Sequence, residues 1–259
     1  MKLVLTGYGR MGHLIKQKAV NRGHEIVLTI DPASEDADIR SGVANRDETI
    51  GAIKNSGAEG IIDFSTPAAI VGNLRNVLPL RLPIVVGTTG WKADEASIAA
   101  LVSVTGGSIL RSANFSLGVN LFFRVVSEAA RIFADFDDYD VAVWEGHHNQ
   151  KADSPSGTAM EIARRILAEN KRKTSLVTGE FKAKPQPEAL HVSSTRIGSF
   201  PGTHTVFFDS TADTIELTHV VRNREGLALG AVYAMERFAE ALRSGRLKQG
   251  KLYGLEDVW

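Results

Sequence analysis

The chain of 259 residues contains no cysteine and no excess of either charge, with 30 basic and 30 acidic residues. Without cysteine, the protein cannot form disulfides, thiolate zinc sites or iron–sulfur clusters, and it has no cysteine nucleophile. The formal net charge of zero gives no general electrostatic attraction to nucleic acid or to an anionic membrane. Neither is therefore expected as a partner.

Long hydrophobic runs are also absent. No stretch of about 18 apolar residues occurs, so no membrane span is predicted. The apolar run in the N-terminal segment MKLVLTGYGRMG is too short for a signal peptide and is interrupted by glycine. With 43% apolar and 23% charged residues, the composition predicts a globular, cytoplasmic protein of one large or two ordinary domains.

The first half of the sequence alternates apolar strands with amphipathic helices. Short apolar runs bounded by turn residues predict buried strands, and helical spacing predicts the segments between them. Strands that alternate with helices favour an α/β fold, in which a parallel sheet carries helices on both faces. The predicted strands cover residues 2–6, 24–31, 59–65, 82–89 and 107–113, and the predicted helices cover 10–22, 67–78 and 92–104.

The pattern changes near residue 116. A long amphipathic helix is predicted there, followed by a strand and a second helix. Three later runs alternate polar and apolar residues, as half-exposed antiparallel strands do. The second half is therefore predicted to be an α+β domain with a mixed or antiparallel sheet. Its helices are predicted over 116–133, 154–170 and 225–242, and its strands over 138–147, 190–198, 203–211 and 213–221.

The segment GYGRMG has the pattern G-x-G-x-x-G directly after a predicted strand and at the start of a predicted helix. In a dinucleotide-binding fold, Gly7 permits the tight turn, Gly9 lets the backbone approach a pyrophosphate, and Gly12 lets the helix pack closely. The alternative is a glycine turn that only connects the strand to the helix. The surrounding strand and helix favour the dinucleotide site.

An acidic residue follows this motif at the spacing that ribose binding requires. Asp31 lies 19 residues after Gly12, at the end of the second predicted strand. A carboxylate there accepts hydrogen bonds from both ribose hydroxyls and repels a 2′-phosphate. Neither arginine nor lysine occurs in the following residues 32–34, which favours NADH over NADPH. Arg10 is a more distant basic residue that would allow NADPH.

Two further loops follow predicted strands. Residues 87–89 carry small and hydroxyl side chains, and residues 112–115 likewise lie between a strand and a helix. Ligands bind beyond the carboxyl ends of strands in open parallel sheets. Both loops could therefore approach a nicotinamide or a substrate. The alternatives are an ordinary strand end for the first loop and a helix cap, with Ser116 as the capping residue, for the second.

The segment EGHHNQKADSPSGTA, residues 145–159, concentrates titratable groups at the end of a predicted strand. Adjacent strand residues point to opposite faces, so His147 and His148 are expected to do different work. The backbone N–H groups at the helix start, residues 156–158, and the charge of Lys151 suit a carboxylate. Histidine is a common acid/base near neutral pH. The segment predicts a pocket for a small anionic substrate.

Three other interpretations of this segment remain open. Both histidines could be exposed residues at a strand end, and Ser156 could be only an N-cap. They could also be metal ligands, but adjacent histidines diverge and no second ligand cluster with metal spacing is evident in the sequence. No metal is therefore predicted.

The same segment resembles the signature of the 4-hydroxy-tetrahydrodipicolinate reductase (dihydrodipicolinate reductase) family, E-x-H-H-x-x-K-x-D-x-P-S-G-T-A. Every fixed position matches, and Ser154 stands at a variable position where alanine is usual. The resemblance extends over nearly the whole chain, through GYGRMG, GTTG and ANFSLGVN. It continues in RIGSFPGTHTVFF, through Arg196, Gly198, Gly202 and His204.

The resemblance implies an enzyme that reduces a cyclic, doubly carboxylated imine with NAD(P)H, giving tetrahydrodipicolinate for lysine and diaminopimelate biosynthesis. It implies a Rossmann dinucleotide-binding domain, residues 1–115 with 230–259. Residues 116–229 would form a substrate-binding and oligomerisation domain, and the implied assembly is a homotetramer joined through the central sheets.

Residue roles follow from the same resemblance. His147 would be the main acid/base, and Lys151 the proton donor or a stabiliser of negative charge. Glu145 would orient an imidazole or a loop, or form a structural ion pair. The implied cofactor-binding residues are Gly7, Tyr8, Gly9, Arg10, Met11, Gly12, Asp31, Gly87, Thr88, Thr89, Ser112, Ala113, Asn114 and Phe115. The implied substrate-binding residues are Thr89, His148, Lys151, Ser156, Gly157 and Thr158.

Two alternatives to this function have different sequence requirements. Another NAD(P)-dependent amino-acid or imine dehydrogenase would share the glycine motif but has no reason to carry the histidine–lysine segment. A non-catalytic dinucleotide sensor would be expected to lack His147 or Lys151, and both are present.

Overall fold

The computed structural model describes residues 1–40 and 46–259. The chain forms two compact units, the first comprising Met1–Ser116 with Glu225–Trp259 and the second Leu117–Arg224. The first unit contains two clusters of buried apolar side chains, and the second contains one.

The first unit is a six-stranded sheet in which every strand pair is parallel. The strand order is β11-β5-β4-β3-β1-β2. The strands are β1 (Lys2–Thr6), β2 (Glu25–Ile30), β3 (Gly60–Asp63), β4 (Pro83–Val86), β5 (Ser108–Arg111) and β11 (Leu252–Gly254). The helices are α1 (Arg10–Asn21), α2 (Arg46–Asn55), α3 (Pro67–Val77), α4 (Glu95–Thr105) and α7 (Glu225–Arg243).

Helices cover both faces of this sheet because its strands are apolar on both sides. Leu3 and Leu5 of β1 pack in the cluster that includes side chains of α1 and α7. Val4 points the other way, into the cluster formed with α3 and α4. Continuous apolar strands of this kind are typical of parallel sheets that are buried on both faces.

The second unit is a five-stranded mixed sheet with two helices. The strand order is β10-β9-β6-β8-β7. Strand β9 is antiparallel to β6 and β10, whereas β8 is parallel to β6 and β7. The strands are β6 (Asp140–His147), β7 (Ser175–Val177), β8 (Ala189–Arg196), β9 (Thr203–Asp209) and β10 (Thr214–Val220). Helices α5 (Leu117–Phe133) and α6 (Gly157–Glu169) contribute Val126 and Ile162 to the core, against Val143 and Phe208 of the sheet.

The predicted fold class is confirmed, with a parallel Rossmann-like sheet first and a mixed sheet second. The interpretation of residues 190–198 as an antiparallel strand is wrong, because β8 runs parallel to both of its neighbours, β6 and β7. Alternating burial reports which face of a strand is solvated and carries no information on strand direction. The sequence analysis missed α2, β7 and β11, and the last two contain only three residues each. Within the described ranges, no helix is long and apolar enough to cross a membrane.

Candidate active site

The turn between β1 and α1 has the geometry that the glycine motif predicted. Gly7 has a φ of +83°, and a Cβ there would lie 2.3 Å from the carbonyl oxygen of Phe64. A Cβ on Gly12 would lie 2.5 Å from the carbonyl oxygen of Gly7, so α1 packs directly on the turn. Among the described residues, no atom other than those of its chain neighbours lies within 4 Å of a Cβ placed on Gly9. The turn therefore leaves open space next to the backbone where a pyrophosphate would approach.

Asp31 holds the loop after β2 against this turn. One carboxylate oxygen accepts a hydrogen bond from the backbone N–H of Tyr8, at 2.8 Å. The other accepts from the backbone N–H groups of Ala33 and Ser34, at 2.8 and 3.1 Å. An adjacent groove of about 910 Å³ is lined by Asp31 and by residues of the glycine turn. The fit to a dinucleotide rests on this groove and on the open space at the turn.

Basic side chains of α1 line the same groove. Arg10, His13 and Lys16 are all among its walls. The Nδ1 atom of His13 lies 2.8 Å from the carbonyl oxygen of Gly9, and Nε2 lies 2.8 Å from a carboxylate oxygen of Asp36. These two acceptors raise the pKa of His13, with the Gly9 carbonyl as the larger cause. His13 and Lys16 were not predicted from the sequence, since both lie outside the glycine motif and outside the residues that follow Asp31.

The loops after β4 and β5 line one cavity of about 320 Å³. Thr88 and Thr89 come from the first loop, and Ser112 and Ala113 from the second. At Gly87, a Cβ would lie 2.2 Å from the ring of Phe64, so only glycine fits there. The structure thus brings together two loops that were predicted separately.

The residues that follow in the second loop point inward. The backbone N–H of Asn114 donates to the hydroxyl of Ser112 at 3.1 Å, and the side-chain oxygen of Asn114 accepts from the N–H of Ser116 at 2.8 Å. Phe115 is 1% exposed and lies 5.9 Å from the ring of Phe64. Phe115 is therefore part of the core of this unit, and α5 begins at Leu117, immediately after Ser116.

In the second unit, Glu145 is the centre of a buried polar network. Its side chain is fully buried, and one carboxylate oxygen accepts a hydrogen bond from Nδ1 of His147. The other oxygen accepts from the guanidinium of Arg196 at 2.8 Å and from the backbone N–H of Ser156 at 3.2 Å. Burial opposes ionisation of Glu145, but Arg196 and His147 outweigh it, so the pKa lies below its ordinary value. Glu145 is therefore an ionised carboxylate.

This carboxylate fixes the proton on His147. In a neutral ring that donates from Nδ1, Nε2 carries no proton and acts as a base. Burial lowers the pKa of His147 against the attraction of Glu145, so the ring is neutral at pH 7. A Cβ on Gly202 would lie 3.0 Å from Nε2 of His147, and Gly202 has a φ of +133°. A glycine at position 202 is therefore required beside the imidazole.

A second histidine, His204, packs against the first. The two rings lie edge to face with centroids 5.2 Å apart, and Nε2 of His204 lies 3.4 Å from the hydroxyl of Ser156. Burial lowers the pKa of His204 to about 4. Ligand atoms of Glu145, His147 and His204 lie within 4.8 Å of one another, a convergence that the sequence analysis missed. Since both oxygens of Glu145 already accept from His147, Arg196 and Ser156, the group fits a proton network better than a metal centre.

His148 and Lys151 lie on the loop that leaves β6. His147 is the last residue of β6 and is buried, whereas His148 lies just after the strand and is half-buried. The ammonium of Lys151 pairs with Asp153 at 2.8 Å. Arg196 donates to the backbone carbonyl oxygens of Lys151 and Asp153, in addition to Glu145. Arg196 therefore connects the buried carboxylate to the loop that carries the lysine. The sequence analysis noted Arg196 only as part of a resembling segment.

Helix α6 begins beside this loop. Ser156 is its N-cap, and the serine hydroxyl accepts from the backbone N–H of Ala159 at 3.2 Å. No atom lies within 4 Å of the Cβ position of Gly157, so space is open at the helix start. Thr158 is half-buried in the first turn. The structure therefore confirms the capping role of Ser156, and the helix N-terminus is accessible at Gly157.

Comparisons with known proteins assign both halves of the chain to the same family. Residues 1–115 match the family model described as "Dihydrodipicolinate reductase, N-terminus", and residues 118–259 match the corresponding C-terminus model. The chain is 36% identical to the 4-hydroxy-tetrahydrodipicolinate reductase of Christiangramia forsetii, over 91% of both chains. It is 33% identical to the enzyme of that name from Methanosarcina barkeri, over 98% of this chain and 97% of the other.

Solved structures show the same fold. The dipicolinate-bound dihydrodipicolinate reductase from Paenisporosarcina sp. TG-14 superimposes with a TM-score of 0.75 at 22% identity, and the match covers 100% of both chains. A diaminopimelate dehydrogenase mutant from Clostridium tetani gives a TM-score of 0.57 at 11% identity, over 100% of this chain and 94% of the other. These two likenesses concern the fold alone. The family models and the identity to the curated relatives establish that the chain belongs to the dihydrodipicolinate reductase family.

Proposed function

We propose that the protein is an NAD(P)H-dependent reductase of lysine and diaminopimelate biosynthesis. It reduces 4-hydroxy-tetrahydrodipicolinate, or the dihydrodipicolinate derived from it, to tetrahydrodipicolinate. The observation that carries this proposal is the buried Glu145–His147 pair, followed by Lys151 and the open start of α6. Another amino-acid or imine dehydrogenase would share the parallel sheet but would not require this arrangement.

The first unit would hold the cofactor, NADH or NADPH, which supplies a hydride when bound. The turn at residues 7–12 would hold the pyrophosphate, because the backbone is open at Gly9. Asp31 would accept hydrogen bonds from the adenosine ribose. The loops at residues 87–89 and 112–115 would flank the nicotinamide.

The second unit would hold the dicarboxylate substrate. His148 and Lys151 would provide side-chain donors at the N-terminus of α6, where residues 156–158 lie. Anionic groups are favoured there because the helix dipole attracts negative charge. Ser156 would contribute through its hydroxyl, because its backbone N–H already donates to Glu145.

Proton transfer falls to Lys151 and His147. The 4-hydroxy compound must first lose water to give the conjugated imine. A hydride added to a ring carbon conjugated with that imine leaves an enamine, which must be protonated to complete the reduction. The charged Lys151 would donate that proton and stabilise the developing negative charge. His147 would act as acid/base through Nε2, and Glu145 keeps the other ring proton on Nδ1.

We further propose that NADH is the preferred cofactor and that NADPH is also used. The Asp31 carboxylate lines the groove and would repel a 2′-phosphate. Arg10 and Lys16 line the same groove and would offset part of that repulsion. The ratio of kcat/KM for the two cofactors measures the balance.

A homotetrameric assembly in the cytoplasm completes the proposal. Strand β10 is the edge of the mixed sheet, and its apolar residues Ile215 and Val220 are 42% and 56% exposed. An exposed apolar edge strand favours association with another chain. Light scattering on the purified protein should give the mass of four chains, and a monomer at micromolar concentration would contradict this assembly.

The test of the function is cofactor oxidation, followed at the nicotinamide absorbance. Substrate would be generated in situ from pyruvate and aspartate semialdehyde by the preceding synthase, with NADH and NADPH run in parallel. We expect His147→Ala and Lys151→Ala to lower the rate about 10²- to 10⁴-fold. The controls His191→Ala and Lys171→Ala change the same residue types elsewhere in the second unit. Protein that binds NADH but oxidises neither cofactor would contradict the substrate assignment.

A further inference from the structure

A buried carboxyl group in the first unit has no role in the function described so far. Asp63 is the last residue of β3 and is 2% exposed. In the described part of the chain, no lysine, arginine or histidine forms an ion pair with it. Burial raises the pKa of Asp63, and hydrogen bonds from neutral groups oppose that effect. An ionisable side chain without a cation is costly at such a position, so its presence calls for a physical reason.

The reason lies in what Asp63 connects. One oxygen accepts from the backbone N–H of Ser65 at 2.9 Å, from the Ser65 hydroxyl at 2.7 Å and from the Thr88 hydroxyl at 3.0 Å. The other accepts from the side-chain amide of Asn73 at 3.1 Å. The two oxygens of Asp63 thus serve four donors from one short side chain. Asp63 thereby joins the loop after β3, helix α3 and the loop after β4.

The residue after Asp63 contacts the loops that are expected to hold the dinucleotide. The carbonyl oxygen of Phe64 lies against Gly7, and its ring lies against Gly87. The same ring is 5.9 Å from that of Phe115. A shift of Phe64 would therefore displace the loops after β1, β4 and β5 together.

We propose that Asp63 is a positioning residue of the dinucleotide site, whose carboxylate sets the positions of Thr88 and of the Phe64–Ser65 turn. The sequence analysis treated this segment only as a strand. The inference rests on the proposed function for the cofactor alone and is independent of the substrate's identity.

The first experiment is NADH binding to the full-length protein, measured by nicotinamide fluorescence, together with KM and kcat. We expect Asp63→Ala to raise the Kd and KM for NADH about tenfold, because misplaced loops contact the cofactor poorly. At saturating NADH, kcat should stay within about threefold, because the proton-transfer groups lie in the second unit. A merely structural role would lower thermal stability and leave the Kd of the folded protein unchanged.

Two further variants separate positioning from general damage. In Asp63→Asn, the amide oxygen still accepts from Ser65 and Thr88, and Asn73 can rotate to accept from the new amide. We expect this variant to restore the Kd for NADH to within about threefold of the original. Ser108→Ala is the control, because it removes a buried hydroxyl that donates to Gln249 at 2.8 Å, from the start of β5.

Asn73→Ala covers the case in which Asp63→Ala does not fold. Asn73 lies on α3 and reaches the loop after β3 through Asp63 and Ser65. We expect its loss to weaken NADH binding about threefold. If Asp63→Ala folds and keeps the original Kd for NADH, the inference is overturned. If Asp63→Ala does not fold, an unchanged Kd for NADH in Asn73→Ala overturns it. If the protein binds NADH but has no reductase activity, only the substrate assignment is contradicted. If it binds neither cofactor, both the proposed function and the role of Asp63 are contradicted.

Discussion

The candidate sites of the two units use different chemical groups. In the first unit, the turn at residues 7–12 leaves open space beside the backbone at Gly9, and Asp63 accepts hydrogen bonds from neutral donors. In the second, the ionised side chains of Glu145 and Arg196 meet around His147 inside the protein. A dinucleotide needs close approach and fixed geometry, which backbone supplies, whereas proton transfer needs groups with adjusted pKa values.

This comparison predicts where each class of substitution acts. Changes at the edge of the first unit should alter cofactor affinity, and changes in the buried network of the second should alter kcat and the response to pH.

Glu145→Gln should have the largest effect. Glutamine keeps the volume but removes the charge that Arg196 neutralises, and its amide can turn a donor toward His147. We expect kcat to fall about a hundredfold, with the Kd for NADH unchanged, because losing a group that orients a catalytic side chain typically costs this much. Glu161→Gln, which removes the partner of Arg164 and Arg165 on α6, is the matched control. Loss of NADH affinity in Glu145→Gln would break the division between the units.

His204 should make stability depend on pH in the second unit. Its pKa is about 4 in the folded protein, against an ordinary value of 6.5 for histidine. The unfolded chain therefore binds more protons between these values, and the free energy of unfolding falls as the pH drops from 7 to 5. The contribution is about 2 kcal/mol over that range. The stability that comes from keeping His204 neutral is retained above pH 6.5 and is lost as the pH approaches 4.

Urea unfolding at pH 7 and pH 5 measures this contribution. Between pH 7 and pH 5, the free energy of unfolding should fall by about 2 kcal/mol less in His204→Asn than in the original protein. His191→Asn, which changes a less buried histidine of β8, should behave as the original. Equal pH dependence in His204→Asn and the original protein would show that the folded pKa of His204 is ordinary.

The same division explains what the sequence could predict. The turn at residues 7–12 was found because close backbone approach requires glycine at fixed spacing, and the spacing is visible in the sequence. The convergence of His204 and Arg196 on Glu145 was not predicted, because it depends on the pairing of β6 with both β8 and β9. The local periodicity of a sequence does not indicate the order of strands in a sheet. Asp63 was missed for a similar reason, since three of its four hydrogen bonds are local but the fourth comes from the next strand's loop.

Gly9→Ala tests the backbone site directly. The added methyl group meets no protein atom within 4 Å, and the φ of −84° suits alanine, so folding should be unaffected. We expect the Kd for NADH to rise about tenfold, because the methyl group would occupy space that the pyrophosphate needs. Gly51→Ala in α2, also open at its Cβ position, is the control. An unchanged Kd would place the pyrophosphate elsewhere.

Asp31→Asn should have the smallest effect, and it concerns choice between cofactors. The amide removes the negative charge that repels a 2′-phosphate but retains an oxygen that can accept from Tyr8 or from Ala33 and Ser34. We expect the ratio of kcat/KM for NADPH to that for NADH to rise about fivefold, since one charge at a solvated groove is worth ~1 kcal/mol. The rise should shrink at high salt. Glu25→Gln, at the opposite end of β2, removes an equal charge and should leave the ratio unchanged. If Asp31→Asn leaves it unchanged too, Arg10 and Lys16 rather than Asp31 decide the preference.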